Sequence, residues 1–416
     1  MSQNVYILGA HTTPFKRWPD KTHKQLTQEA YVGVLADAGH LTGKDIAGVW
    51  FGACLSHYWG QHVLRGQMLT HPLVRDGLLP ERVPLVNVEG GCATGSIALA
   101  GAYKEIRAGD ADLTLAMGVE KCHDPVDPAR MRAAFDARDA FDPAEWLAPY
   151  YAAGDYVGRP FVEAPDRTLA MDTYAMQALV HMKMYGTTQR QIAVASAKNH
   201  CHGALNPNAQ YQFEMTPDQV LADRVVSQPL TRAMCSPMGD GAAAVLLCSE
   251  RYLRNQPREV QDRAVRIAGF GLSGGKYRMP GEPGLTRFAA DKAYRQSGRG
   301  ARDIQVAEVH DATSFCEIFQ SEMLGFCADG EGGAFVESGA TTLGGSLPIN
   351  TSGGLVSKGH PIAATGLSMC QELVTQLRGE AGARQVQGAS VALQENGGGI
   401  MGLEEAVAAV MVYERA

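Results

Sequence analysis

The chain has 416 residues, 45% hydrophobic and 19% charged, with a formal net charge of −7 at pH 7. That length can bury a large core, as one big or two fused α/β domains, in an ordinary soluble globular composition. A pI near 6.0 with no basic stripe argues against nucleic acid, and no apolar run nears the ~20 residues that span a bilayer.

Residues 5–9 predict a first strand, 26–38 an amphipathic helix and 48–53 a second strand. Pro84-Leu85-Val86-Asn87-Val88 reads as a short buried strand. Gly90 and Gly91 then turn the backbone, and small and apolar residues recur at helical spacing over 93–106. Cys92 lies in that turn, at a helix N-terminus whose unpaired N–H groups favour negative charge on sulfur. Such a thiol is a candidate nucleophile, and equally a small buried residue filling a tight corner. A strand over 111–117 follows. From 123 to about 172 Pro, Asp and aromatics dominate, with 131–135 the main helical hint, before helices over 173–185 and 191–200. Residues 123–190 therefore read as a loop excursion covering the active site. Residues 242–248 predict a strand returning to the core. The stretch 257–262 is the most linker-like, and 264–269 opens a second half, giving halves of 1–255 and 256–416.

Ile349-Asn350-Thr351-Ser352-Gly353-Gly354 repeats the pattern of Val86-Asn87-Val88-Glu89-Gly90-Gly91. Each copy leads into a small-residue helix (93–106 and 363–377) and then a strand (111–117 and 389–393). Two such units indicate a duplicated half-domain. The second copy carries Gly359-His360-Pro361 where the first carries Cys92, so His360 is a candidate base for the thiol; its bland alternative is a cap on the following helix. The nine cysteines show no paired spacing and no leader precedes the first strand, so the thiols are expected to be reduced and the chain cytoplasmic.

The chain resembles the thiolase superfamily along nearly its whole length. The resemblance is carried by Gly91-Cys92-Ala93-Thr94-Gly95, Cys235-Ser236-Pro237-Met238-Gly239-Asp240-Gly241, Glu308-Val309-His310-Asp311-Ala312, Asn350-Thr351-Ser352-Gly353-Gly354 with Gly359-His360-Pro361, and Gly397-Gly398-Gly399. The His310-Asp311 pair and Ala197-Lys198-Asn199-His200 are similar to the sterol-carrier-protein and archaeal branch. The resemblance implies an α/β thiolase fold: two similar βαβαβ halves in a layered α-β-α-β-α core. It implies a CoA-dependent acyltransferase forming or cleaving a β-ketoacyl-CoA through acyl-Cys92, with His360 as the thiol base. Oxyanion holes would come from His310 and from the N–H groups of Cys92 and Gly397. Asp311 would orient a neighbouring group, or serve as a turn carboxylate.

This sequence departs from the family at the second catalytic cysteine. Glu395 stands where Cys-x-Gly-Gly-Gly would place it, and Ala312 where the sterol-carrier type carries it. Glu395 is the first choice for acid/base work at the substrate α-carbon, with Cys316 and His310 as alternatives. Substrates are expected to be bulky, branched or aromatic acyl-CoAs such as benzoylsuccinyl-CoA, with coenzyme A as co-substrate and no metal in this chain. A polyanionic coenzyme then needs a local cationic patch. The same resemblance implies a homodimer, self-paired through a strand such as 111–117, and raises a small zinc-ribbon/OB-fold partner chain. A retro-aldol lyase, a phenolic acyltransferase and a silent scaffold subunit are the competing readings.

Overall fold

The structure, a computed structural model, describes residues 3–39, 41–135, 138–164 and 166–416. Its strands are β1 (Val5–Thr12), β2 (Gly48–Gly52), β3 (Leu85–Val88), β4 (Leu113–Lys121), β5 (Val225–Ser227), β6 (Leu230–Thr231), β7 (Asp240–Ser249), β8 (Val265–Gly274), β9 (Val306–Glu308), β10 (Val391–Gly398) and β11 (Val407–Arg415). All but β5 and β6 join one sheet in the order β3-β2-β4-β7-β1-β8-β11-β10-β9. The halves meet between β1 and β8 through only two registered pairs, Tyr6↔Arg266 and Ile7↔Val265.

The repeat seen in the sequence has a topological counterpart. In the first half β3 runs parallel to β2, and β2 parallel to β4. In the second, Ile349 bridges parallel to Ala307 of β9, and β9 runs parallel to β10. Each half closes antiparallel, β4 on β7 and β10 on β11. Two helices, Thr94–Ala108 and Ile362–Arg378, lie between the half-sheets. Ala98, Leu99, Ala102 and Ile106 of the first and Leu367, Cys370, Leu373 and Leu377 of the second share one core with Val245, Leu247, Ala392 and Met411. Helix His23–Asp37 covers the outer face of the first half-sheet through Leu26, Tyr31 and Val34. Helix Leu285–Ser297 covers the second through Ala289, Ala290 and Ala293. The result is the layered thiolase core, helix–sheet–helix–sheet–helix. Small residues fit the central layer because backbones there approach closely: a Cβ on Gly95 would meet Ala363 O at 2.8 Å.

The expected strand self-pairing, the loop excursion and the linker all differ in the structure. Strand β4 cannot pair with a second copy of itself, because β2 and β7 already occupy both its edges. The open edge belongs to β3, since the outer edge of β9 carries the Ile349 bridge. The stretch after residue 123 is also more regular than its composition suggests, with helices Pro128–Ala133 and Pro143–Val157. Asp127 and Asp142 cap them, each followed by a proline at the first helical position, so residues that read as loop signals act as start signals. The linker-like stretch likewise holds helix Arg258–Arg263. Among the described residues no helix is long and apolar enough to cross a membrane.

Candidate active site

Three side chains converge, two of them just past strand ends and the third between two helices. Cys92 follows β3 in a short 3₁₀ turn, Gly91–Ala93, that opens the first central helix. His310 lies two residues past the end of β9. His360 sits two residues before the second central helix, after Gly359 at φ 104°. One ligand atom of each, the Cys92 sulfur and a ring nitrogen of each histidine, lies within 4.8 Å of the others. Nδ1 of His310 is turned to Glu405 Oε1 at 2.8 Å, and Nδ1 of His360 to Thr365 Oγ1 at 2.7 Å. The two Nε2 atoms therefore face the sulfur. Both are buried and neither has a hydrogen-bond partner, which leaves them for a substrate.

The two imidazoles differ in kind. The Thr365 hydroxyl donates to Pro361 O at 3.1 Å, so it must accept the Nδ1–H of His360. That fixes Nε2 of His360 as a lone pair aimed at Cys92. Burial, the charge of His310 and then Lys358 all push the His360 pKa well below its ordinary value, so the ring is neutral. Burial opposes charge on His310 too, but its close approaches to Cys92 and Glu405 outweigh it and raise the pKa well above ordinary. A base and an acid thus flank one thiol, the separation that assigns acid/base roles.

The glycine triplet closes the site from the second half. A Cβ on Gly91, at φ 56°, would lie 2.5 Å from Gly399 N, and one on Gly398 would lie 2.1 Å from Ala93 N. Gly398→Ala is expected to push the Cys92 turn away from β10, at a cost of about 1–3 kcal/mol of overpacking. Iodoacetamide labelling of Cys92 and the thermal midpoint should both fall; no change in either would refute the close approach.

Gly397 lies in β10 opposite Ala408, against Glu405, and Gly399 reaches the cavity instead. Glu395 is fully buried behind His310: Oε2 accepts from the His310 backbone N at 3.0 Å and Oε1 from Thr286 Oγ1 at 3.1 Å. Burial and then the charge of Glu405 push its pKa up to about 8. Cys316 lines a small void behind the site with Glu405 and Tyr174, away from the main cavity. Ala312, at the place of the sterol-carrier-type cysteine, does line the main cavity. Asp311 accepts from Leu355 N at 2.5 Å and Asn199 Nδ2 at 2.8 Å, steadying the segment that leads to His360.

Cys92 and His360 open onto a cavity of about 590 Å³. Its walls mix apolar side chains (Phe135, Met171, Val226, Met238 and Ile400) with six arginines. Arg17, Arg224 and Arg232 are exposed at the rim; Arg65, Arg132 and Arg167 are partly buried. Among the described residues the lining carboxylates are Glu89 and Asp166, with Asp223 paired to Arg232 at 2.9 Å and Asp172 to Arg167 at 2.5 Å just outside, so arginines outnumber the carboxylates that face them and give a chain of net negative charge a cationic mouth here. Arg132, Phe135, Arg167 and Met171 come from the excursion after residue 123, which forms one wall.

The chain matches known families and proteins. The thiolase N-terminal domain family matches residues 5–251, and the thiolase C-terminal domain-like family residues 284–414. An acetyl-CoA acetyltransferase of Methanothermobacter thermautotrophicus is 34% identical, over 99% of this chain and 100% of its own length. The benzoylsuccinyl-CoA thiolase subunit BbsB of Thauera aromatica is 27% identical over 93% of this chain and 92% of its own. Among solved structures, a chain of the Ltp2-ChsH2(DUF35) aldolase shares the fold with TM-score 0.77 and 22% identity, covering 99% of this chain and 98% of that one.

Proposed function

Because the chain belongs to the thiolase family, we propose that it is an acyl-CoA C-acyltransferase that cleaves or forms a bulky β-ketoacyl-CoA through acyl-Cys92. The observation that carries this reading is the pair of unpartnered Nε2 atoms, one basic and one acidic, on either side of a half-buried thiol. In the cleavage direction His360 takes the thiol proton as the sulfur attacks the β-carbonyl. The carbon–carbon bond breaks, leaving the acyl group on Cys92 and an enolate of acetyl-CoA. His310 hydrogen-bonds the enolate oxygen or protonates its α-carbon. The thiol of coenzyme A then takes the acyl group from Cys92.

A cavity of about 590 Å³ with several apolar walls suits a branched or aromatic acyl group better than acetyl alone, and the benzoylsuccinyl-CoA in the name of the Thauera relative is of that kind. The rim arginines suit the phosphates of coenzyme A. Replacing Arg224 and Arg232 together by alanine should raise KM for the CoA substrate by roughly tenfold and leave kcat within about twofold. An unchanged KM would place the phosphates elsewhere. The reading as a whole is tested by mass spectrometry after mixing with acyl-CoA. An adduct on Cys92, discharged by free coenzyme A, is expected. Its absence would favour a retro-aldol lyase, which needs neither acyl-enzyme nor coenzyme A thiol.

For assembly, we read a symmetric homodimer through the open edge of β3, where Val86 is 42% exposed. A small zinc-ribbon/OB-fold partner is a second element of the proposal. It is supported by the "subunit" in the name of the Thauera relative and by the DUF35 chain named with the aldolase neighbour.

A further inference from the structure

His310 and His360 face one sulfur with opposite chemistry, and the group behind each ring makes the difference. Behind His360 is a hydroxyl, Thr365; behind His310 is the carboxylate of Glu405. His310 is 0% exposed and Glu405 6%, so water does not stand in for either contact. Room for the carboxylate is made by a missing side chain, since a Cβ on Gly397 would lie 1.9 Å from Glu405 Oε2. Every element packed here contributes a polar or titratable group. Tyr174 from helix Leu169–Tyr185 places its hydroxyl 3.4 Å from Glu405 Oε1. Glu395 from β10 holds the His310 backbone N–H, and Cys316 from helix Ser314–Met323 lies beyond. Arg278, paired with Glu404 at 3.6 Å, lines a void of about 10 Å³ with Glu405 and Gln320. Arg278 Nε and Gln320 Oε1 are buried there without a hydrogen-bond partner, which suits one bound water.

We propose that Glu405 is a positioning residue that makes the His310 imidazole the proton donor at the substrate α-carbon, the task a second cysteine performs elsewhere in the family. This rests on the thiolase reading. When the bond between the α- and β-carbons breaks, its electron pair stays on the α-carbon, which takes the proton from His310 Nε2. The ring is left neutral, with its Nδ1–H still donated to Glu405. Coenzyme A, its thiol proton released to water, then attacks acyl-Cys92 as the thiolate, and a proton from water restores Nε2. Cys92 leaves as thiolate and recovers its proton from His360. Each proton is accounted for, and no thiol besides Cys92 and coenzyme A takes part.

The test uses the full chain with acetyl-CoA and acetoacetyl-CoA as probes, comparing wild type, Glu405→Gln and Glu405→Asp. Three quantities are read: acyl adduct on Cys92, deuterium uptake at the acetyl-CoA α-carbon, and the pH profile of thiolysis. Glu405→Gln should keep the adduct yet lose about 10²-fold or more in deuterium uptake. Because the donor must be protonated, thiolysis falls as pH rises through the His310 pKa. Loss of the neighbouring carboxylate should move that fall to lower pH by about one unit or more. A defect of packing alone would slow the reaction without moving the limb. Wild-type uptake with an unmoved limb in Glu405→Gln overturns the proposal. Should Glu405→Gln not fold, Glu405→Asp decides: retained charge predicts a basic limb within about half a unit of wild type, and a downward move of a full unit overturns it. An acyl adduct missing from the wild type would overturn the thiolase reading and this proposal together.

Discussion

Cys92→Ser is expected to abolish acyl transfer, by at least about 10⁴-fold, the scale on which loss of a nucleophile acts. The fold should survive. The hydroxyl is close in size to the thiol, the residue is half-buried, and no hydrogen bond of the turn passes through its side chain. The thermal midpoint should therefore stay within a few degrees. What is lost is the nucleophilic sulfur beside a lone-pair acceptor. Near-wild-type turnover by the serine variant would remove the acyl-enzyme and the mechanism built on it. The same geometry predicts selective iodoacetamide labelling. Only Cys92, Cys201 and Cys327 among the nine cysteines escape full burial. Burial raises the Cys201 thiol pKa and pushes Cys327 up to about 12, so both are slow. Comparable labelling at Cys201 and Cys92 would contradict this account.

The sequence carried the three reacting groups because each lies in a short run whose local geometry is written in its residues. Two glycines, a cysteine and a small-residue helix describe a strand-to-helix turn without reference to the rest of the chain, and Gly359-His360-Pro361 does the same. The duplicated pattern around Asn87 and Asn350 announced the two-half core, since both copies end a strand at one face of the same double layer. Glu405 was not legible. It stands beside Glu404 in the turn between β10 and β11, where paired carboxylates read as a solvated tip, and its partner His310 is 95 positions away. The signal available was indirect: Gly397 in the middle of a buried strand, where a missing side chain marks close approach by something else. The cationic mouth was equally hidden, being assembled from arginines on separate segments of a chain whose net charge is negative. Strand pairing failed for a related reason. An apolar run such as β4 indicates burial on both faces but not which neighbours occupy its edges.

His360→Ala is expected to slow acylation of Cys92 by roughly 10²–10⁴-fold, the contribution of a positioned general base. The ring accepts through Nε2 because its Nδ1–H is held by Thr365, so Thr365→Val should reproduce part of the loss by freeing the tautomer. The pH dependence distinguishes this histidine from an exposed one. Its pKa lies well below the ordinary 6.5, through burial, the His310 charge and Lys358, so the neutral form persists as pH falls. Acylation, followed as a single-turnover burst, should hold its rate below pH 6.5 and decline only at lower pH. A half-fall near 6.5 would mean that the base is solvated, contrary to its 8% exposure. With acetyl-CoA as the acyl donor, His310→Ala should show the opposite division, forming the acyl adduct at close to the normal rate and stalling at the carbon–carbon step. If His310→Ala removes the burst and His360→Ala leaves it, the proton of Cys92 goes to His310, and the two imidazoles exchange roles.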